Sequence, residues 1–239
     1  MARHKRILEP DLIRHVMSRG NGRMRIFLDD RDYRTFLRVL SDVVMFFDVE
    51  CWDYCIMPNH YHLTLYPRKP NLSIAMHQLN SVYAMWWNAV HSNVGHVFQG
   101  RFKAQIVQRE GYLLALCRYI ARNPVRAGLV KHSEEWAWSS YRAIAGLSRN
   151  PGFLTDGPIL SQFGAADLAQ ARARYVNHVL RIPPEADEIE DRLRSKESVI
   201  GDPEFKTKIM GDRSARTSGS ERKSGTFDPA RLEIHTPLI

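Results

Sequence analysis

An α+β domain is the fold class this sequence predicts, with helices packed on one face of an antiparallel sheet. Three observations predict it. Over about residues 8–147, stretches of two-residue alternation interleave with stretches of helical periodicity, in the order strand, helix, strand, strand, helix, strand, helix. The two middle strands are separated only by Pro58-Asn59, too short a link for a crossover, so they must pair as an antiparallel hairpin. Hydrophobic residues make up 44% of the 239, enough for one sizeable core or for one domain with an appendage.

The elements follow in order. Leu12 to Ser18 alternates and reads as a strand, turned by Arg19-Gly20-Asn21-Gly22. Asp30 to Phe47 places Tyr33, Phe36, Leu37, Leu40, Val44 and Phe47 at helical spacing. Val49 to Met57 is apolar and aromatic and forms the first hairpin strand; His60 to Tyr66 forms the second. A second helix runs from Leu72 to about His91, with Asn71 as its expected N-cap. Ser92 to Arg101 is a loop, and Phe102 to Val107 a strand. Gly111 to about Asn123 is a helix that Pro124 should stop. Trp136 to Ala145 is read as one more short helix. Among common architectures the ferredoxin-like one best matches this order. Residues 148–239 form a C-terminal extension expected to be mostly helical or disordered. Ala165 to Leu180 is a helix candidate, an acidic run covers 185–191, and 211–227 is expected to be disordered because it is rich in Ser, Gly, Arg and Lys.

Charge is unevenly placed. Residues 1–130 hold 18 Lys and Arg against 10 Asp and Glu, whereas residues 131–239 hold 16 of each. Within 60–130 eight basic residues face a single acid, Glu110. Such an excess is the footprint of a polyanion binder, or simply a solvated basic surface. No apolar run is long enough to span a bilayer, so no membrane partner is expected. The basic start, Met1 to Arg6, is not followed by the apolar stretch of a secretory signal. Three cysteines (Cys51, Cys55 and Cys117) lack paired spacing, which argues against a disulfide framework and against a zinc ribbon, and fits a reducing cytosol.

Two segments carry candidate chemistry. His60-Tyr61-His62 is the sole His-x-His of the chain. In a strand, residues two apart face the same way, so both imidazoles share a face while Tyr61 and Leu63 pack on the other. That is a suitable start for a metal site, and two histidines would leave it incomplete and open to water and substrate. The same pattern is also met by chance in a chain with ten histidines. On the helix at 111–123, Leu113, Leu116, Cys117 and Ile120 make the core stripe. Tyr119 and Asn123, one turn apart, share a neighbouring face with Arg118, Arg122 and Arg126 around them. A tyrosine there is either a boundary residue of the core or a nucleophile for phosphoryl transfer. In the second case nearby cations or a metal must help a phenol of pKa about 10 to ionise.

Met57-Pro58-Asn59-His60-Tyr61-His62-Leu63, then Gly100-Arg101-Phe102-Lys103, then Tyr119 to Val130, and finally Trp136-Ala137-Trp138-Ser139-Ser140-Tyr141-Arg142 occur in one order. Together with Arg19-Gly20-Asn21 and Ile26-Phe27, this closely resembles the REP-associated tyrosine transposases of the single-tyrosine HUH transposase family. The resemblance spans about residues 8–145. It implies a ferredoxin-like catalytic domain (8–147) that nicks and rejoins single-stranded DNA near hairpins through a 5′-phosphotyrosine intermediate. His60 and His62 match the family's metal pair, Tyr119 its nucleophile, and Asn123 the position of a third metal ligand. More distant relatives carry Gln there, and Asn123 is both shorter and placed before Pro124. The resemblance implies Mg2+ or Mn2+ as cofactor, and two imidazoles suit manganese at least as well as magnesium. Arg101, Lys103 and Arg126 are assigned to phosphate contact, and Arg19 and Asn21 to DNA contact in the first turn. Trp86, Trp87, Trp136 and Trp138 fit core packing better than base stacking. The expected setting is the bacterial cytoplasm, at the nucleoid, as monomer or homodimer.

Two further functions fit parts of this pattern. A domesticated transposase could bind hairpin DNA without cutting it, although intact His60, His62 and Tyr119 speak against decay of the site. A replication-initiation or conjugative nickase would share the chemistry, but those usually place the tyrosine differently and carry larger partner domains.

Overall fold

Four strands carry the alternation read in the sequence: β1 (Ile13–Arg19), β2 (Val49–Met57), β3 (His60–Pro67) and β4 (Lys103–Val107). In this computed structural model, which describes Ile7, residues 9–183 and residues 186–215, they pair antiparallel in the order β2-β3-β1-β4. A two-residue strand, β5 (Val199–Ile200), joins β4 in parallel at the edge. The first four strands, with the helices between them, have the expected ferredoxin-like order. Register sets His15 opposite both Thr64 on β3 and Gln105 on β4, and Met17 opposite His62.

Each sheet face has its own helices. Helix α1 (Asp30–Phe46) is capped by Asp29, whose side chain accepts from the backbone of Arg31 and Asp32. It lies with α2 (Leu72–Val90) on the face of Tyr61, whose ring sits 4.8 Å from that of Phe36 and whose hydroxyl donates to Asn80 at 2.7 Å. The expectation of helices on one face describes α1 and α2. Helix α3 (Arg109–Arg126) takes the opposite face, with Leu113, Leu116, Cys117 and Ile120 fully buried as its periodicity requires.

Local differences from the sequence reading have physical causes. Asn71 takes the N-cap position of α2 as expected, but its side chain makes no capping bond; its amide donates instead to the Phe47 carbonyl at 2.7 Å, tying the two helices together. Pro124 does not stop α3, which runs on to Arg126. So near the C-terminus a proline removes only one intrahelical bond, and Ala127 still donates to the Asn123 carbonyl at 3.0 Å. The helix is instead broken near its start, where Glu110 and Gly111 (φ 78°) are non-helical. Trp136 to Ser140 is not helical. It runs along β2, with Ile56 donating to Trp138 and Ser140 donating to Tyr54, and so covers that sheet edge. Only one turn, α4 (Tyr141–Ile144), is helical there.

The remaining elements are α5 (Gly157–Leu160), α6 (Leu168–Leu180), α7 (Ala186–Arg194) and α8 (Pro203–Ala215). Phe153, Tyr175, Val179 and Leu193 share one hydrophobic cluster with the sheet and α3. Residues 211–215, expected to be disordered, end α8; 216–227 lie outside the described residues, as does the basic start, Met1 to Arg6. Among the described residues no helix is long and apolar enough to cross a membrane.

Candidate functional site

The hairpin and β1 bring the candidate residues to one end of the sheet. His60 opens β3 and His62 follows two residues on, so both point to the α3 face, with ring centroids 5.0 Å apart. They line a cleft of about 450 Å³ with Met17, Ser18, Arg19, Gln99, Gly100, Arg101, Phe102 and Lys103. Arg19, Arg101 and Lys103 are exposed, and the lining contains no acid, so the cleft is positive. Asn21 is exposed in the adjacent turn but does not line it.

Tyr119 reaches the pair from α3. Its ring lies edge-on to His62, centroids 5.5 Å apart, and to His15 at 5.8 Å. It is only 5% exposed and is not among the cleft's lining residues. Burial pushes its phenol pKa up; Arg126 opposes that shift and Glu190 adds to it. Arg126 and Arg194 lie over the ring, their guanidinium carbons 5.7 and 5.9 Å from its centroid, and both pair with the buried carboxylate of Glu190 on α7. Arg126, assigned from sequence to phosphate contact, is therefore held by an acid from the C-terminal segment. The acidic run at 185–191 is thus not merely a solvated face.

Asn123 lies one turn after Tyr119, half-buried, and its amide nitrogen donates to the Tyr119 carbonyl at 3.0 Å. Its carbonyl oxygen is the atom suited to a cation. Among the described residues no group of three or more His, Cys, Asp or Glu is placed to hold a metal. A complete ligand set would have to draw on the two imidazoles and an amide oxygen.

Both histidines are held from behind. His60 Nδ1 meets Asn59 Oδ1 at 2.6 Å. His62 Nδ1 meets His15 Nε2 at 2.9 Å, and His15 Nδ1 meets Gln105 Oε1 at 3.0 Å. Burial lowers the His60 pKa to about 4, with Arg19 contributing, and holds His62 well below its ordinary value. Burial also lowers His15 to about 4. Sequence reading did not single out His15, Gln105 or Asn59. For His15 and Gln105 the available signal was a polar residue at an inward strand position, which has to find a partner. Trp86 and Trp87 are buried, and Trp138 stacks on Tyr33 at 4.6 Å while the Trp136 indole donates to the Ile56 carbonyl. These roles are core packing, as expected.

Residues 10–123 match the family model described as "Transposase IS200 like". That span contains His60, His62, Tyr119 and Asn123 and ends at Asn123, leaving Arg126 outside it. Among solved structures, a REP-associated tyrosine transposase bound to a REP hairpin is similar, with a TM-score of 0.53 and 16% identity over 65% of this chain and 90% of that one. At that identity the likeness is one of fold. No curated protein sequence matches the chain.

Proposed function

We propose, because residues 10–123 match the IS200-like transposase family model, that this chain is a metal-dependent endonuclease and strand transferase. Its substrate would be single-stranded DNA near a hairpin, cut through a 5′-phosphotyrosine intermediate. The observation that carries the reading is the meeting of Tyr119 with His62, ring to ring at 5.5 Å, beside a cleft whose charged lining residues are all cationic. The solved structure of similar fold holds a REP hairpin, which supports the same class of ligand. The setting proposed is the bacterial cytoplasm.

The residues present fit a divalent cation. Two buried imidazoles held from behind line one cleft, and the oxygen of the Asn123 amide, one turn after Tyr119 on α3, would supply a harder donor. His60, His62 and Asn123 would hold Mn2+ or Mg2+. The ion's contribution when bound is to polarise the non-bridging oxygens of the scissile phosphate.

The chain's own groups do the rest. Arg19, Arg101 and Lys103 bind the phosphate backbone and fix the strand's register in the cleft. The Tyr119 hydroxyl gives its proton to solvent water and its oxygen bonds to phosphorus. The bond from phosphorus to the 3′ oxygen breaks, and that oxygen takes up a proton from solvent water as a free 3′ hydroxyl. The phosphotyrosine ester retains the energy of the broken bond, so a second 3′ hydroxyl can reverse the step without a nucleotide cofactor.

Burial of Tyr119 is the observation that favours an alternative, a hairpin-binding protein that does not cut. One experiment separates the two. A labelled single strand containing a hairpin is incubated with the protein and Mn2+ and run on a denaturing gel. A covalent protein–DNA adduct that disappears in Tyr119→Phe is expected. Absence of an adduct with every divalent metal tried would leave the binding protein.

A further inference from the structure

We propose that His15 and Gln105 are positioning residues that lock His62 with its Nε2 lone pair free for a metal ion. Backbone carbonyls of Arg192 and Glu197 hold Gln105 in the orientation this requires. The proposal rests on the reading of His62 as a ligand and adds how the chain prepares it.

The hydrogen bonds fix every proton in turn. Gln105 Nε2 lies 3.0 Å from the Glu197 carbonyl oxygen and 3.3 Å from that of Arg192. Carbonyl oxygens only accept, so the amide NH2 must point at them and Oε1 must face His15. A flipped amide would set its oxygen against two other oxygens. Oε1 also only accepts, so His15 Nδ1 carries the proton of that 3.0 Å contact. His15 is fully buried, which disfavours a second proton on the ring, so its Nε2 is the acceptor. His62 Nδ1 must then donate across 2.9 Å, which leaves His62 Nε2 unprotonated. A metal-bound histidine needs that state, its other nitrogen donating to a fixed acceptor.

His60 repeats the device at shorter range. Asn59 Nδ2 donates to the Arg23 carbonyl at 3.1 Å, so Asn59 Oδ1 faces His60 Nδ1, which donates. Both imidazoles therefore present Nε2, through unrelated amides each oriented by backbone. Two separate chains of contacts with the same outcome point to a built ligand pair and not to incidental core packing.

The test begins with the wild-type protein free of metal. Two-bond proton–nitrogen correlation spectra of the imidazoles report which ring nitrogen carries hydrogen. The expected result is hydrogen on Nδ1 and none on Nε2 for His15, His60 and His62. Hydrogen on Nε2 of His62 overturns the proposal, and this reading needs no variant to fold. Mn2+ affinity is then followed by the electron paramagnetic resonance of the free ion. Gln105→Met should weaken binding by about 10–100-fold, with the His62 spectrum losing its single tautomer. Equal Mn2+ affinity in wild type and Gln105→Met also overturns the proposal. If the wild type binds no Mn2+, the metal-dependent function fails, while the spectrum still decides the relay.

Discussion

Three exposed cations facing one cleft should set the salt dependence of DNA binding, and their number gives its size. Arg19, Arg101 and Lys103 line the cleft beside His60 and His62, whereas Arg126 is already paired with Glu190. Each phosphate neutralised on a single strand releases about 0.7 of a counterion, and about 0.9 on a duplex stem. Replacing all three by Gln should therefore flatten the plot of log K against log salt by about 2 to 3. At about 0.1 M salt the same terms weaken binding roughly 100-fold or more. Fluorescence anisotropy of a labelled single strand with a hairpin, titrated over a salt series without divalent metal, measures both quantities. Arg126→Gln alone should change the slope by less than about 0.7, because its partner is an acid of the same chain. Parallel lines for the wild type and the triple variant would refute the assignment of this cleft to DNA.

The nucleophile should be separable from the scaffold. Tyr119→Phe should cut adduct formation by about 10³-fold or more, whereas Tyr112→Phe should leave it intact, since that hydroxyl accepts from Arg192 at 3.1 Å; denaturing gels read both. His60→Ala should weaken Mn2+ by about 100-fold in resonance titrations, while hairpin affinity without metal changes by less than about 2-fold, because phosphate contacts carry that term. A structural titration lies deeper: burial raises the Asp53 pKa to about 7, against the hydrogen bonds from Ser140, Tyr54 and Cys117. A carboxyl that holds its proton more tightly when folded gives stability that is full below about pH 4 and is lost as pH rises to about 7. Asp53→Asn should flatten that decline and raise stability at pH 8 by up to roughly 4 kcal/mol in urea unfolding; an unchanged decline would locate it elsewhere.

What the sequence discloses follows from which interactions are local. Alternation exposes a strand's two faces, so the shared face of His60 and His62 and the opposite face of Tyr61 were legible without any partner. Helical periodicity likewise identified the buried stripe Leu113, Leu116, Cys117 and Ile120. Neither signal reveals which face of the sheet α3 covers, and that alone brings Tyr119 to His62. The motif order supplied Tyr119 through resemblance; its periodicity left it a boundary residue. His15 and Gln105 escaped notice because their role depends on the registers of β1 with β3 and with β4. No pattern within one strand encodes a pairing across 90 residues of chain. The stop expected at Pro124 misled for a simpler reason: the rule concerns helix interiors, and Pro124 lies in a last turn.

The C-terminal segment bears on the site from the β4 edge of the sheet and from above Tyr119, not through the cleft. Without β5, strand β4 would be a sheet edge, and the NH2 group of Gln105 would lack the carbonyls of Arg192 and Glu197. A freed amide can turn over, and either orientation then satisfies His15, so the tautomer of His62 would no longer be unique. Backbone carbonyls are well suited to removing that freedom. They do not titrate, and they have no donor form to offer. Glu190, on the helix that leads to those carbonyls, pairs with Arg126 and Arg194 over the Tyr119 ring. Residues 190–197 therefore touch the candidate site twice, once at the hydrogen-bond chain to His62 and once at the charge over Tyr119. A segment with balanced charge can do both without competing for the DNA that the cationic cleft would hold.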